Sequence, residues 1–298
     1  TVYAAQGVTL TLRQVYYQCV AHDLFPDDRR WVMTGGGNWK RSADPTATKN
    51  AEPNYKWLGD VIADARLAGL LDWEAIEDRT RSLRDLAHWN DPPEIVTAVS
   101  QQFRIDKWAT QPYRVEVWIE KDALVGVIED VCQELDVPFF SCRGYTSLSE
   151  VWRGAMRLKQ HRTGNQTPVI LHFGDHDPSG IDMTRDITDR LRLFIGGHLE
   201  VRRLALNMDQ VQQYNPPPNP AKRTDARFQS YTALHGDESW ELDALEPTVI
   251  AGLIRTEILG LRESDPWDEK VEEEENGRAE LGRIAGRYED VVQFLEGE

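Results

Sequence analysis

The chain has 298 residues, 40% of them hydrophobic, with 34 basic against 50 acidic side chains and a formal net charge of -16. That is enough apolar material for a full core and, most simply, two domains, while no apolar stretch approaches the ~20 residues that span a bilayer. Its three cysteines, Cys19, Cys132 and Cys142, lack any metal-ligand spacing, which argues for reduced thiols and against a zinc site.

The start, Thr1 to Gly7, has neither a basic region nor an apolar signal core, so a soluble, cytoplasmic protein is expected; because Thr1 rather than methionine opens the chain, upstream residues are expected too. Residues 1–110 carry 13 basic and 15 acidic side chains, which leaves 21 and 35 for the remainder. The acidic excess is therefore carboxy-terminal. Part of it is the run 268–275, read as a solvated helix face or flexible stretch. Any polyanion contact must use local basic side chains and weaken at high salt.

In chain order, residues 11–24 form the first periodic segment, with Leu12, Val15, Tyr16, Cys19 and Val20 at helical spacing and Thr11 with Gln14 in a capping box. At 100° per residue Tyr16 points inward and Tyr17 falls toward the polar flank, with Arg13 one turn earlier on the same side. Residues 26–54 read as a long loop; their triplet Gly35-Gly36-Gly37 is no phosphate loop, since no Gly-Lys-Ser/Thr follows. A second helix is expected over 55–68, using Leu58, Val61, Ile62 and Ala65, with Gly69 closing it. With the short stretch 70–78 this resembles a helix-turn-helix with a wing. Residues 79–112 read as a polar connector around Pro92-Pro93.

The rhythm then changes to strand and helix alternation, which implies a parallel sheet. A strand over 114–119 leads to Glu120, and a helix follows with Ala123, Leu124, Val127, Ile128 and Val131 on one face. A strand over 137–142 ends in Arg143-Gly144-Tyr145, and a helix over 148–161 comes next. The apolar run 168–173 stops at Gly174 and presents Asp175 and Asp177; a helix over 179–194, a fourth strand over 199–206, a proline-rich loop over 215–220 and a helical remainder complete the chain.

Asp175 and Asp177 sit at a strand tip, the edge where open α/β sheets bind ligands. Two carboxylates ~4 Å apart repel by roughly 1 kcal/mol in water and about 4 kcal/mol at an effective dielectric of 20, which a divalent cation such as Mg²⁺ would relieve. Asp177 before Pro178 is equally a helix N-cap, but capping leaves Asp175 unexplained. Glu120, at another strand tip on the same edge, makes a third acid, with Lys121 and Arg143 placed to balance charge or grip a phosphate. The plainer alternative has Glu120 capping its helix and Asp122 or Lys121 at the surface.

Ile119-Glu120-Lys121-Asp122-Ala123, Arg143-Gly144-Tyr145 and Asp175-His176-Asp177-Pro178-Ser179-Gly180 resemble the TOPRIM domain of the topoisomerase VI A subunit and the meiotic double-strand-break transesterases. Leu12-Arg13-Gln14-Val15-Tyr16-Tyr17 resembles that family's winged-helix segment, and Trp240-Glu241-Leu242-Asp243-Ala244-Leu245 another of its elements. The resemblance implies an α/β fold with a winged-helix domain over 1–80, a connector over 81–112 and a TOPRIM domain, a Rossmann-like parallel sheet with a helical extension, over 113–298.

It further implies Tyr17 as nucleophile, aided by Arg13, forming a 5′-phosphotyrosyl DNA link. Glu120, Asp175 and Asp177 would hold Mg²⁺ or Mn²⁺, and Lys121 and Arg143 would contact substrate. The protein would be nucleoid-associated, and a homodimer is expected, in which the tyrosine of one protomer works with the partner's metal. No ATP-binding motif is present, so strand passage would need a separate ATPase subunit. Two departures stand out: the family's lysine-glycine-tyrosine-proline appears as Arg143-Gly144-Tyr145-Thr146, and the 26–54 loop is long for a winged helix, either a DNA-gripping arm or merely an insertion. A TOPRIM endonuclease that activates water, and a DNA-binding dimer without catalysis, are the competing readings.

Overall fold

A computed structural model describes residues 10–77, 86–163 and 165–297. The short strand β1 (Leu10–Thr11) runs into helix α1 (Leu12–Ala21). Its start is fixed by the expected box: the Thr11 side chain accepts from the Gln14 amide at 3.4 Å, and Gln14 Oε1 accepts from the Thr11 amide at 2.7 Å. The segment read as a loop over 26–54 contains an antiparallel hairpin of β2 (Trp31–Met33) and β3 (Trp39–Arg41), with Met33 opposite Trp39 and Val32 opposite Lys40. Three-residue strands are too short to show alternation in sequence, and Gly37, at φ +75°, supplies the left-handed residue the turn needs.

Helix α2 (Glu52–Leu67) begins slightly earlier than the pattern suggests, with Pro53 in its first turn. In the stretch expected to form a wing, 70–78, the described residues hold a 3-10 turn (Trp73–Ala75) and the short strand β4 (Ile76–Glu77), which pairs parallel with β1; residue 78 lies outside the described residues. The polar connector also needs correcting. Pro92 and Pro93 open helix α3 (Pro92–Gln102), whose N-cap Asp91 accepts from the Glu94 amide at 2.9 Å. Proline at the first helical positions starts a helix rather than breaking one.

Strands β5 (Tyr113–Ile119), β6 (Phe139–Ser141), β7 (Thr167–Phe173) and β8 (Glu200–Ala205) form one parallel sheet in the order β6-β5-β7-β8. Helices α4 (Val125–Glu134), α5 (Leu148–Thr163) and α6 (Pro178–Ile195) connect them. Both faces are covered, which explains the near-continuous apolar runs. On one face Val115, Val117, Ile119, Val169, Leu171 and Phe173 meet α4 and α9 (Pro247–Leu261). On the other, Trp118 and Ile170 meet α5 and α6.

Between β8 and α9 lie α7 (Met208–Tyr214), the paired strands β9 (Asn219–Pro220) and β10 (Glu238–Ser239), α8 (Phe228–His235) and a 3-10 turn, Leu242–Ala244. Helices α10 (Ser264–Gly286) and α11 (Tyr288–Glu296) end the described chain. The acidic run is only partly solvated. Glu274 is buried, with the Lys107 ammonium 2.7 Å away and the Ile105 amide donating to it at 3.0 Å. None of the described helices is long and apolar enough to cross a membrane.

From β5 the chain crosses to β6 on one side, and from β7 to β8 on the other. The switch point of the sheet is therefore the crevice between the carboxyl ends of β5 and β7. Glu120 follows one of those ends, and Asp175 and Asp177 follow the other.

Candidate functional site

The turn from Gly174 to Gly180 is held rigidly. Asp177 caps α6 as expected, its Oδ1 accepting from the Gly180 amide at 2.6 Å. Glu120 Oε2 accepts from the Asp175 amide at 2.9 Å, so the β5 acid is tied to the β7 turn. Arg203, on β8, donates to the carbonyls of Gly174 (3.0 Å), Asp175 (2.7 Å), Gly180 (2.8 Å) and Leu206 (3.1 Å). Burial pushes its pKa down to about 10, with Glu120, Asp175 and Asp177 opposing the shift.

Gly180 is obligatory at its place, since a Cβ there would stand 2.2 Å from the Asp175 carbonyl oxygen. Gly180→Ala must therefore displace the turn, at a cost of about 1–3 kcal/mol. A thermal-shift measurement should show a fall of roughly 2–4 °C per kcal/mol.

Asp175 is buried, and its Oδ1 accepts from the Lys121 ammonium at 2.8 Å and the Leu242 amide at 2.7 Å. Burial, with Glu241, Glu120 and Asp243 close by, raises its pKa well above the usual carboxylate range against the pull of Lys121. Burial likewise raises that of Glu120. The three acids thus reach one sheet edge as expected. Their chemistry is the hard-oxygen set that suits Mg²⁺, but among the described residues no three His, Cys, Asp or Glu side chains are grouped closely enough to hold a metal ion. Asp175 is turned toward Lys121.

Lys121 is largely buried rather than at the surface. Its ammonium also contacts Glu241, and Asp243 Oδ2 at 3.3 Å. These two acids, which the sequence reading quoted within Trp240–Leu245 but gave no role, join the sheet edge to α1. His176 and Trp240 bridge their backbones at 2.8 and 2.9 Å, and from there Arg13 Nε meets Asp243 Oδ2 at 2.6 Å and Arg13 Nη2 meets Glu241 Oε2 at 2.9 Å. Burial opposes charge on Arg13, yet Asp243 and Glu241 override it and raise its pKa. For Glu241 burial acts upward, but Lys121 and Arg13 bring the carboxyl down to about 2.

Both tyrosines of α1 are buried, at 5% and 6% exposure. The helical wheel leaves Tyr17 on the polar flank; in the structure the Leu242–Ala244 turn covers that flank. The two differ in what their hydroxyls do. Tyr16 Oη donates to Asn50 Oδ1 (2.9 Å) and lies 3.2 Å from the Ala51 carbonyl. Tyr17 Oη has no hydrogen-bond partner among the described residues. The Arg13 guanidinium lies 5.8 Å from the Tyr17 ring centroid. Burial and Glu241 push the Tyr17 phenol up to about 12, opposed by Arg13 and Lys121.

Tyr17, Arg13, Asp177 and Glu241 line one cavity of about 330 Å³, with Met33 and Trp39 from the hairpin and Lys222 on its walls. Tyrosine and acidic edge therefore meet within one chain, whereas the resemblance implies a meeting across a dimer. Arg143 is not brought there: it is exposed, pairs with Asp122 at 3.1 Å and lines a different cavity beside Cys142 and Tyr145. Compared with models of known protein families, with curated proteins and with solved structures, the chain matches none.

Proposed function

We propose that the chain cleaves DNA by transesterification, with Tyr17 as nucleophile. The observation that carries this reading is a phenol hydroxyl, without a hydrogen-bond partner among the described residues, in a cavity shared with the Arg13 guanidinium and with Asp177 of the acidic sheet edge. The likeness of its motifs to the topoisomerase VI A subunit supports the same reading. Tyr17 Oη forms the new bond to phosphorus, the bond to the 3′ oxygen breaks, and the phenolic proton ends on the departing 3′ oxygen by way of solvent. The product is a 5′-phosphotyrosyl end and a free 3′-hydroxyl, and the reverse reaction rejoins them.

Arg13 and Lys121 supply the positive charge that favours phenolate and meets the phosphate. In the free protein both cations share the Glu241 carboxylate. An entering phosphate competes with that carboxylate for them. A requirement for Mg²⁺ or Mn²⁺ belongs to the proposal and rests on the hard oxygens of Glu120 and Asp177. Cutting both strands calls for a homodimer, and strand passage for a separate ATPase subunit.

The test uses supercoiled plasmid and 3′-labelled duplex, titrated with Mg²⁺ and stopped with denaturant. Label carried with the protein after denaturation, and released by protease, is the expected result. Free 5′ ends without protein would replace transesterification by hydrolysis.

A further inference from the structure

The hairpin β2–β3 carries Arg29, Arg30, Lys40 and Arg41 with no acid between residues 29 and 43, in a chain whose net charge is -16. Its base is anchored. The Trp31 amide donates to the Thr48 carbonyl at 2.8 Å, Trp31 Nε1 to Asn54 Oδ1 at 2.8 Å, and Arg29 stacks 4.0 Å from the Trp57 ring centroid. Its outer part is free, with Val32 and Met33 exposed at 41% and 52%.

Period-two alternation gives the ribbon two faces. Met33 and Trp39, opposite each other, face the Tyr17 cavity; Val32 and Lys40 face away. Arg41 pairs with Asp28 at 3.4 Å and lies over Trp31, while Lys40 is exposed and makes no ion pair among the described residues. Lys222, also exposed, stands on another wall of the cavity.

A two-stranded ribbon fits the major groove of duplex DNA, and basic side chains along it meet phosphates on either side. We propose that this hairpin is a DNA-gripping arm. Lys40 and Arg41 neutralise phosphates flanking the scissile one, and Met33 and Trp39 pack against the sugars and base edges that enter the cavity. The assignment rests on the DNA-cleaving reading of the cavity, and adds to it where the flanking duplex runs.

The test is equilibrium binding of a short fluorescent duplex across a salt series, for wild type, Lys40→Ala/Arg41→Ala, the charge-keeping Lys40→Arg/Arg41→Lys and Trp39→Ala. Removing two phosphate contacts should weaken binding roughly 10-fold near ~0.1 M salt and make the log–log salt slope shallower by about 2. The charge-keeping variant should bind as wild type does. Trp39→Ala should weaken binding with an unchanged slope. Circular dichroism that matches wild type shows that the variants fold.

Equal affinity and slope for wild type and the double alanine variant would overturn the arm while leaving Tyr17 chemistry intact. Hairpin-dependent binding without any covalent adduct would keep the arm and remove the nucleophile. Binding of RNA or single strands in preference to duplex would overturn the choice of occupant, and no binding at all would remove both.

Discussion

If the chain is the transesterase proposed, Tyr17→Phe should abolish covalent attachment to DNA and lower strand cleavage by roughly 10³-fold or more, the scale on which loss of a nucleophile is felt. The substitution removes one oxygen and keeps the ring, which sits edge-on to Tyr16 with centroids 5.2 Å apart and beneath the Arg13 guanidinium. Because that oxygen has no partner among the described residues, the melting temperature should hardly move. Tyr16→Phe gives the opposite pattern. It loses the bond to Asn50 Oδ1, costs about 1 kcal/mol of stability and keeps the chemistry.

The pH profile is a second readout of the same group. With the phenol pushed up to about 12, the phenolate fraction grows about tenfold per pH unit below that value. Single-turnover cleavage should accordingly climb between about pH 7 and pH 9. A flat profile, with adduct still formed, would mean that the proton leaves through a group other than the ones described around Tyr17. Adduct formed by Tyr17→Phe would remove the assignment outright.

What was legible in the sequence is what local chemistry decides. Thr11 and Gln14 determine a cap between themselves, the run from Pro168 to Phe173 fits only a strand buried on both faces, and Asp177-Pro178 opens a helix whatever surrounds it. Helix α3 was hidden because its prolines also serve loops, and the hairpin because three residues per strand are too few to display a period.

The site was legible only as far as topology carries it. Placing Glu120, Asp175 and Asp177 on one edge follows from parallel strands, but the direction in which Asp175 turns is decided by Lys121 and by the Leu242 amide, 67 residues away. The same distance problem concealed Glu241 and Asp243, whose partners lie on α1. The motif Trp240–Leu245 held a usable signal: two acids alternating with apolar residues that are buried, which calls for buried cations somewhere.

Lys121→Met tests that network by its stability, independently of any reaction. The ammonium lies 2.8 Å from Asp175 Oδ1 and 3.3 Å from Asp243 Oδ2, and also contacts Glu241, with side-chain exposures of 14% for Lys121 and 8% for Asp175. Methionine keeps the stem but leaves the acids facing Arg13 alone. Breaking a buried pair in this way costs about 3–5 kcal/mol, and at roughly 2–4 °C per kcal/mol the melting temperature should fall by about 10 °C. Lys121→Met/Asp175→Asn should recover a large part of the loss, because the two side chains are in contact and their effects do not add.

The pH dependence fixes the cause. Burial lowers the pKa of Lys121, but Asp175, Asp243 and Glu241 raise it well above its ordinary value. Its contribution is therefore full below the unfolded-state value of about 10.4 and is lost as pH rises beyond it. Glu241, brought down to about 2, contributes above its unfolded value of about 4.3 and loses that contribution as pH falls through about 2. Without Lys121 the carboxyl groups take up protons at higher pH, which relieves the stranded charge. The gap in melting temperature between variant and wild type should thus narrow on acidification from about pH 7 to pH 5. A gap of constant width would attribute the loss to packing of the lysine stem instead of to its charge.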